Sequence, residues 1–221
     1  MKMKEKVEII RRYLTDTYGD VACTLDYKDP FQLMVSACLA AQCTDARVNM
    51  VTPALFREFP TPYAFANAEV SRVEELIRST GFFRNKAKNL VACSKALVER
   101  FDGKVPDNME DLLSLPGVGR KIANLILGDV FGKPCIVVDT HCKRITGLLG
   151  LTKNTDPIKI EKDLRKIIDP EYGSLFCHQI VEHGRNICIA RRPDCKSCGM
   201  NIVCNHYKKI WGQKSDREDK T

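Results

Sequence analysis

Three groups of side chains in this sequence are of the types that carry out chemistry. Lys121 follows the segment Leu115-Pro116-Gly117-Val118-Gly119-Arg120, Asp139 comes 18 residues later, and four cysteines cluster towards the carboxyl end. A deprotonated lysine amine is a nucleophile, and a carboxylate beside it can accept a proton or stabilise developing positive charge. Cysteine thiolates bind soft metals. The sequence therefore presents one candidate covalent centre and one candidate metal centre.

Lys121 can act as a nucleophile only if its charged form is disfavoured. A free lysine has a pKa of about 10.4, and the positive end of a helix dipole opposes that charge by only about 0.3–1 kcal/mol. We therefore expect burial and the neighbouring Arg120 to supply the rest. The alternative is a surface lysine that pairs with a phosphate.

Asp139 can return to Lys121 along the chain. The predicted helix over residues 120–131 travels roughly 18 Å, and the extended segment from Gly132 to Val138 can span up to about 23 Å. We therefore expect the carboxylate beside the amine. The alternative is an N-cap of the helix that begins at Thr140, and both roles are compatible because a cap aims a carboxylate rigidly.

The segment before Lys121 predicts two helices joined by a tight turn. Pro116 ends one helical pattern and Gly119 opens the next. Glycine permits left-handed backbone angles and close approach, and the amides of Gly117 and Gly119 at a helix N-terminus form a site for one phosphate. This resembles the helix-hairpin-helix element, which grips a DNA backbone without reading bases. An ordinary turn between two helices is the alternative.

The four clustered cysteines have the spacing Cys188-x6-Cys195-x2-Cys198-x5-Cys204. Four thiolates within 17 residues predict a metal site. Spacing alone leaves the metal open, because structural zinc usually shows two Cys-x2-Cys pairs and ferredoxin spacing also differs. Three basic residues stand between these cysteines: Arg191, Arg192 and Lys196. The loop therefore also presents a basic surface, for which a solvated run of charge is the alternative.

Composition narrows the class of protein. The 221 residues suffice for one or two compact domains, and the net charge is +7. Residues 184–214 hold seven Lys or Arg against one Asp, which accounts for +6 of that charge. A concentrated basic region favours a polyanion, nucleic acid before membrane. The total of 11 cysteines is odd and the other seven are scattered, which argues for a reducing compartment. With no signal peptide or membrane span visible, we expect an intracellular protein.

Apolar periodicity predicts helices along the chain, and the fold class is all-α. Asp29-Pro30 predicts the start of a buried central helix, Phe31 to Ala41. Pro53 should kink or interrupt the next helix. Ser71 with Glu74 reads as a capping box.

Two further stretches allow more than one interpretation. Cys135–Val138 alone has strand character, and it is too short and solitary to make a sheet. The phenylalanines of Gly81-Phe82-Phe83 are interpreted either as core anchors or as a wedge inserted into a base stack. Ser215 to Thr221 has no apolar residue and should be disordered.

These motifs, in this order and separation, resemble the endonuclease III family of DNA glycosylases over about residues 21–211. The resemblance implies two helical domains flanking a DNA-binding cleft. Residues 23–133 would form a helical barrel domain that contains the hairpin. Residues 1–22 plus 134–211 would form a domain closed by a [4Fe–4S] cluster, leaving 212–221 as a tail.

The resemblance also implies residue roles. Lys121 matches the family's Schiff-base lysine and Asp139 its catalytic carboxylate. Gln42 matches the residue that fills the gap left by an extruded base, and Phe82 stands where relatives often have a leucine wedge. The cluster ligands would be Cys188, Cys195, Cys198 and Cys204. We further expect DNA contacts from Gly117, Gly119, Arg120, Arg191, Arg192 and Lys196.

The resulting hypothesis is a base-excision-repair enzyme with both glycosylase and abasic-site lyase activity. It would remove damaged pyrimidines from duplex DNA and cut the abasic site by β-elimination, as a monomer in a prokaryotic cytoplasm near the nucleoid. A monofunctional adenine glycosylase is a rival, although it usually lacks a lysine at the position of Lys121 and carries an extra C-terminal domain. A non-catalytic DNA-binding module and an electron carrier are rivals from other classes.

Overall fold

Helices make up the regular structure of the protein throughout residues 1–210, the range that the computed structural model describes. No strand occurs in that range, so the prediction of an all-α fold is confirmed. The apolar run at residues 135–138 forms no strand, and Cys135, Ile136 and Val137 are buried instead. No helix among these residues has the length and apolar character needed to cross a membrane. The tail expected at 212–221 lies outside the described residues.

The helices follow one another with short connections. In chain order they are α1 (Met3–Tyr18), α2 (Pro30–Leu39), α3 (Asp45–Glu58), α4 (Pro62–Ala66), α5 (Val70–Ile77), α6 (Phe83–Phe101), α7 (Met109–Leu113), α8 (Arg120–Asp129), α9 (Thr140–Leu149), α10 (Pro157–Leu164) and α11 (Gly173–Asn186). Short 3-10 helices cover Arg78–Thr80 and Asn201–Val203.

The chain divides into two compact units. The first, called here the hairpin unit, is Cys23–Lys133. The second, called the cysteine unit, joins Met1–Ala22 to the described chain from Pro134 onward. Each unit therefore has its own packing, which positions its own functional side chains.

The hairpin unit is built around α2, as the sequence predicts. Asp29 caps this helix by accepting a hydrogen bond from the Gln32 amide at 2.9 Å, and Pro30 occupies its first turn. Most of the helix is buried, and it packs against α3, α6 and α8. A helix that is apolar nearly all round must lie inside its unit because no face of it favours water.

The structure departs from two local predictions in this unit. Helix α3 continues through Pro53, so the expected interruption there does not occur. The capping box of Ser71 with Glu74 does not form, because α5 begins at Val70 and Ser71 is already inside the helix.

The cysteine unit packs α1 and α9 against α11. Ile10 and Leu14 of α1 and Phe176 and Ile180 of α11 are fully buried. The chain from the end of α11 to residue 204 contains little regular helix, and it carries the four clustered cysteines. This part of the chain is called here the cysteine loop.

Candidate nucleic-acid interface and metal centre

The turn between α7 and α8 is exposed but firmly anchored. Leu115 and Val118 are buried, and the Val118 amide donates to the Leu115 carbonyl at 3.1 Å. The Cys38 thiol of α2 donates to the Gly117 carbonyl at 3.7 Å. Burial raises the pKa of Cys38 to about 12, so this thiol keeps the proton that it donates. The buried side chains of Leu115 and Val118 therefore anchor the hairpin, while Gly117 and Gly119 are exposed.

The two glycines of this turn serve different needs. Gly117 has a φ of 79°, and a Cβ there would lie 3.1 Å from the Cβ of Asn89, so the fold itself requires glycine. Gly119 is the N-cap of α8 with a φ of −92°, and a Cβ there would meet nothing within 4 Å. Nothing within residues 1–210 thus requires a glycine at 119. Its missing side chain leaves space for a group that approaches the N-terminus of α8 from outside, where backbone amides favour an anion.

Lys121 lies in the first turn of α8, next to the half-buried Arg120. The side chain of Lys121 is exposed, so the expectation that it is buried is wrong. Its amine is thus accessible at the same helix end as the open Gly119 position. A group held on the amides of that N-terminus would stand close to a primary amine.

Asp139 is the N-cap of α9 in the cysteine unit. Its Oδ1 accepts a hydrogen bond from the Cys142 amide at 2.7 Å. The alternative role as a cap is therefore real, and a cap uses only one of the two carboxylate oxygens. The cap fixes the orientation of the carboxylate and leaves Oδ2 able to accept another proton or hydrogen bond.

Two residues of the hairpin unit hold unusual backbone angles at its surface. Gln42 has a φ of 53° in the turn after α2, and Phe82 has a φ of 47° at the start of α6. Left-handed angles cost a residue other than glycine roughly 1–3 kcal/mol and concentrate at functional sites. Phe82 is 65% exposed, so its interpretation as a core anchor is wrong. The left-handed backbone angles at Gln42 and Phe82 therefore lower the stability of the folded protein, while both residues are exposed at the surface.

Arg191 in the cysteine loop shares this property, with a φ of 71°. The side chains of Arg192 and Lys196 are exposed in the same loop. The loop packs closely on α1, because a Cβ at Gly199 would lie 2.4 Å from the ring of Tyr13. The basic residues thus lie on a loop that packs against α1 near Gly199, and such packing helps to hold a surface that could bind an anion.

The four clustered cysteines line one cavity of the cysteine unit, of about 30 Å³. Apolar side chains complete its wall, including Ile145, Leu149 and Ile187. No three His, Cys, Asp or Glu side chains among residues 1–210 are spaced to hold a single metal ion. The identity of a bound group must therefore be inferred from the cavity that the cysteines share and from the side chains that surround it.

The donor set around this cavity fits an anionic group that is bound by thiolates. Burial raises the pKa of the Cys188 thiol, and it raises that of the Cys198 thiol to about 11. Positive metal ions within a bound group would favour the ionised thiolates. Arg144 donates from Nη1 to the Cys188 sulfur at 3.5 Å, while its buried Nη2 has no hydrogen-bond partner in the described structure. A net-negative cluster ligated by thiolates would compensate that orphaned donor. His183, with Nε2 3.6 Å from the Cys198 sulfur, is buried, and burial together with the Arg144 charge lowers its pKa to about 4.

Sequence reasoning missed Arg144 and His183 at this cavity, and it also missed Lys86 of α6 in the hairpin unit. Lys86 and His183 are buried and Arg144 is half-buried, and a polar residue in an otherwise apolar stretch of a helix is the signal that could have identified them. The structure brings the four cysteines to one cavity, and it places Gly119, Arg120 and Lys121 together at one helix end.

Comparison with known proteins gives a consistent result. The family model of the HhH-GPD superfamily base excision DNA repair proteins matches residues 35–170. The chain is 50% identical to "Endonuclease III" of Synechocystis sp. over 203 residues, which covers 91% of this chain and 92% of that protein. It is 36% identical to "Endonuclease III" of Bacillus subtilis, with 97% and 96% of the two chains covered.

A solved structure agrees with these sequence relatives. The described fold is similar to a trapped endonuclease III–DNA covalent intermediate, with a TM-score of 0.90 and 37% sequence identity. The match covers 96% of this chain and all of that one. That relative was captured as a covalent complex with DNA.

Proposed function

The chain belongs to the endonuclease III family of the HhH-GPD superfamily of base excision DNA repair proteins, and we propose how its own residues carry out that family's reaction. It is a DNA glycosylase and abasic-site lyase that acts on duplex DNA. We take damaged pyrimidines as the bases that it removes. The observation that carries the assignment of residues is the exposed amine of Lys121, which lies in the first turn of α8 at its open, amide-lined N-terminus.

The Lys121 amine is the proposed nucleophile. With the damaged nucleotide extruded from the stack, the amine attacks C1′, the C1′–N bond breaks, and the base leaves with the bonding electron pair and takes up a proton. The C1′–O4′ bond then breaks, the ring oxygen takes its electron pair and a proton, and the nitrogen is left joined to C1′ as a protonated Schiff base. This cation acidifies the C2′ proton, and loss of that proton expels the 3′ phosphate and cuts the strand.

Asp139 serves the same reaction in this proposal. Its carboxylate accepts the proton that the amine must lose, or stabilises the positive charge that develops on the sugar as the base departs. Support comes from the cap of α9, because the hydrogen bond from the Cys142 amide holds one oxygen in place while the other can accept a proton. A carboxylate fixed in this way loses little freedom when substrate arrives.

The proposed DNA contacts follow from the exposed and strained residues. The amides at Gly117 and Gly119, with Arg120, hold one phosphate of the strand. Gln42 fills the gap left by the extruded base, and Phe82 wedges beside it. The left-handed angles at Gln42 and Phe82 support this assignment, because they hold the side chain of Phe82 largely in solvent, where the residue is 65% exposed.

A [4Fe–4S] cluster would be held by the four clustered cysteines, Cys188, Cys195, Cys198 and Cys204. When bound, it would supply iron–thiolate bonds that order the cysteine loop, with no part in breaking the bonds of DNA. The ordered loop then presents Arg191, Arg192 and Lys196 to phosphates. The single cavity that all four cysteines line, and the unsatisfied Arg144 nitrogen beside it, support this assignment.

The same proposal extends to domain roles and location. Residues 23–133 act as the helical barrel domain that carries the hairpin, and residues 1–22 with 134–211 act as the cluster domain. The protein works as a monomer in the cytoplasm, at the nucleoid where its substrate lies. Its relatives named above are bacterial.

Borohydride trapping tests the central assignment. Wild-type protein mixed with abasic duplex and borohydride should form a covalent protein–DNA adduct, because the reductant converts the Schiff base into a stable amine. Lys121→Ala and Lys121→Arg should both abolish the adduct and lower strand nicking by at least about 100-fold.

The arginine variant separates the two interpretations of Lys121. It keeps a positive charge that can pair with phosphate but cannot form the Schiff base. Nicking by Lys121→Arg at the wild-type rate would show that this lysine merely pairs with phosphate, and the assigned role would then be wrong. Binding to an uncleavable abasic analogue should stay within about threefold of wild type in this variant, because the charge is retained.

A further inference from the structure

Two separate turns of the hairpin unit present the side chains proposed to enter the DNA. The turn after α2 carries Gln42, and the turn between the 3-10 helix Arg78–Thr80 and α6 carries Phe82. They are 40 residues apart in sequence. An intruding pair of side chains is useful only if the distance between the two turns is fixed, because each must meet its own place in the base stack.

One side chain touches the chain just before both turns. The Nζ of Lys86 donates to the Leu39 carbonyl at 2.8 Å, where α2 ends, and to the Thr80 carbonyl at 2.7 Å, where the 3-10 helix ends. Leu39 precedes Gln42 by three residues, and Thr80 precedes Phe82 by two. Lys86 also belongs to the first turns of α6, with its own amide bonded to the Phe82 carbonyl at 3.1 Å. A single residue thus joins both turns through three hydrogen bonds.

This arrangement is costly if its only purpose is stability. Lys86 is 8% exposed, and its ammonium group has no carboxylate partner in the described structure. Burial lowers the pKa of Lys86. The negative end of α2 offsets part of the cost, since a cation at a helix C-terminus is favourable. An apolar side chain of similar length would fill the same space without this penalty.

We propose that Lys86 is a positioning residue that fixes the Gln42 and Phe82 turns relative to each other, so that both side chains enter the DNA in register. The inference rests on the proposed DNA roles of these two residues and adds the element that sets their spacing. Lys86 itself touches no DNA in this scheme. It acts through the Leu39 and Thr80 carbonyls, each of which begins one of the two strained turns.

A fluorescent base reports the intrusion directly. The probe is a duplex with 2-aminopurine opposite a stable abasic analogue, in which intrusion unstacks the 2-aminopurine and raises its fluorescence when wild-type protein binds. Lys86→Met keeps the length of the side chain but removes the ammonium donors, so it should lose most of this increase. Lys86→Arg keeps charge and donors and should recover part of it. Lys95→Met, the same change at an exposed position of α6, is the matched control and should behave as wild type.

A double-mutant cycle separates positioning from general loss of stability. Lys86→Met alone should lower the single-turnover rate of base release by roughly 10- to 100-fold, the size expected for a displacement of about 1 Å. Added to Gln42→Ala with Phe82→Ala, it should cost less than about twofold more, because the turns then carry nothing to position. A structural defect would instead cost the same factor in both backgrounds. If Lys86→Met does not fold, as judged by circular dichroism, Lys86→Gln takes its place and should show a smaller loss with the same non-additivity.

The outcomes are distinguishable. Full fluorescence and a normal rate in folded Lys86→Met, or a loss that multiplies in full with the Gln42 and Phe82 changes, overturns the positioning role alone. Normal fluorescence and rate in Gln42→Ala with Phe82→Ala overturns the proposed DNA roles, and the positioning role with them. The predicted non-additivity together with rescue by arginine supports the inference.

Discussion

The hairpin unit and the cysteine unit hold their functional segments in opposite ways. In the hairpin unit the exposed turns rest on buried apolar anchors and on hydrogen bonds from Cys38 and Lys86. In the cysteine unit the basic loop has little regular helix, and its four thiols surround a cavity. The first unit supplies its own support. The second surrounds a cavity in which we propose that a metal cluster binds.

This difference shows two ways in which one small protein can hold its functional segments in fixed positions. A turn held by packing and by hydrogen bonds to carbonyls is rigid as soon as its helices pack. In our proposal, the cysteine loop becomes comparably ordered only when a metal group binds its four thiols. The carboxylate of Asp139, which we propose as catalytic, belongs to the second unit but is held by a hydrogen bond, through the helix cap of α9.

The largest expected effect therefore concerns Asp139. Asn caps a helix as well as Asp does, so Asp139→Asn should keep α9 intact while removing the negative charge. We expect single-turnover base release to slow by roughly 100- to 1,000-fold, with binding to an abasic analogue little changed. Asp156→Asn, the same change at the N-cap of α10, is the control and should leave the rate unaltered. A large loss of affinity at a normal rate would make Asp139 a structural cap only.

An intermediate effect should come from the cysteine loop. Cys198→Ser should abolish bound iron, acid-labile sulfide and visible absorbance, and should lower DNA affinity by roughly tenfold because the basic loop loses its order. Cys177→Ser is the control, since Cys177 lies outside the cavity and accepts from the Val137 amide, which a serine oxygen can also do. If wild-type protein is purified without iron, the proposed difference between the two units is wrong, because the cysteine loop would then need no bound cluster.

The smallest expected effect belongs to Gly119. The backbone there suits alanine and a Cβ meets nothing, so Gly119→Ala should leave thermal stability unchanged. An approaching phosphate would meet the new methyl group, and DNA affinity should fall by roughly three- to tenfold, about 0.6–1.4 kcal/mol. Gly147→Ala in the cysteine unit, equally open, serves as the control in the same binding titration. Unchanged affinity in Gly119→Ala would mean that no phosphate reaches this end of α8.

Much of the local structure could be predicted because its causes lie within a few residues. The caps at Asp29, Thr44 and Asp139 each accept from an amide three residues ahead, as the residue types indicate. Failures came where distant packing decided the outcome. Pro53 stays inside a continuous helix, and Lys121 is exposed where burial was expected.

The sequence by itself determined the all-α fold, the glycine hairpin before Lys121, and the set of four clustered cysteines. These depend on periodicity, backbone freedom and spacing, which are properties of neighbouring residues. Only the tertiary structure decided that Phe82 points outward, that the cysteines share a cavity with Arg144 beside it, and that Lys86 joins two turns 40 residues apart. Such contacts join segments that are remote in the chain, and they exist only once the helices have packed.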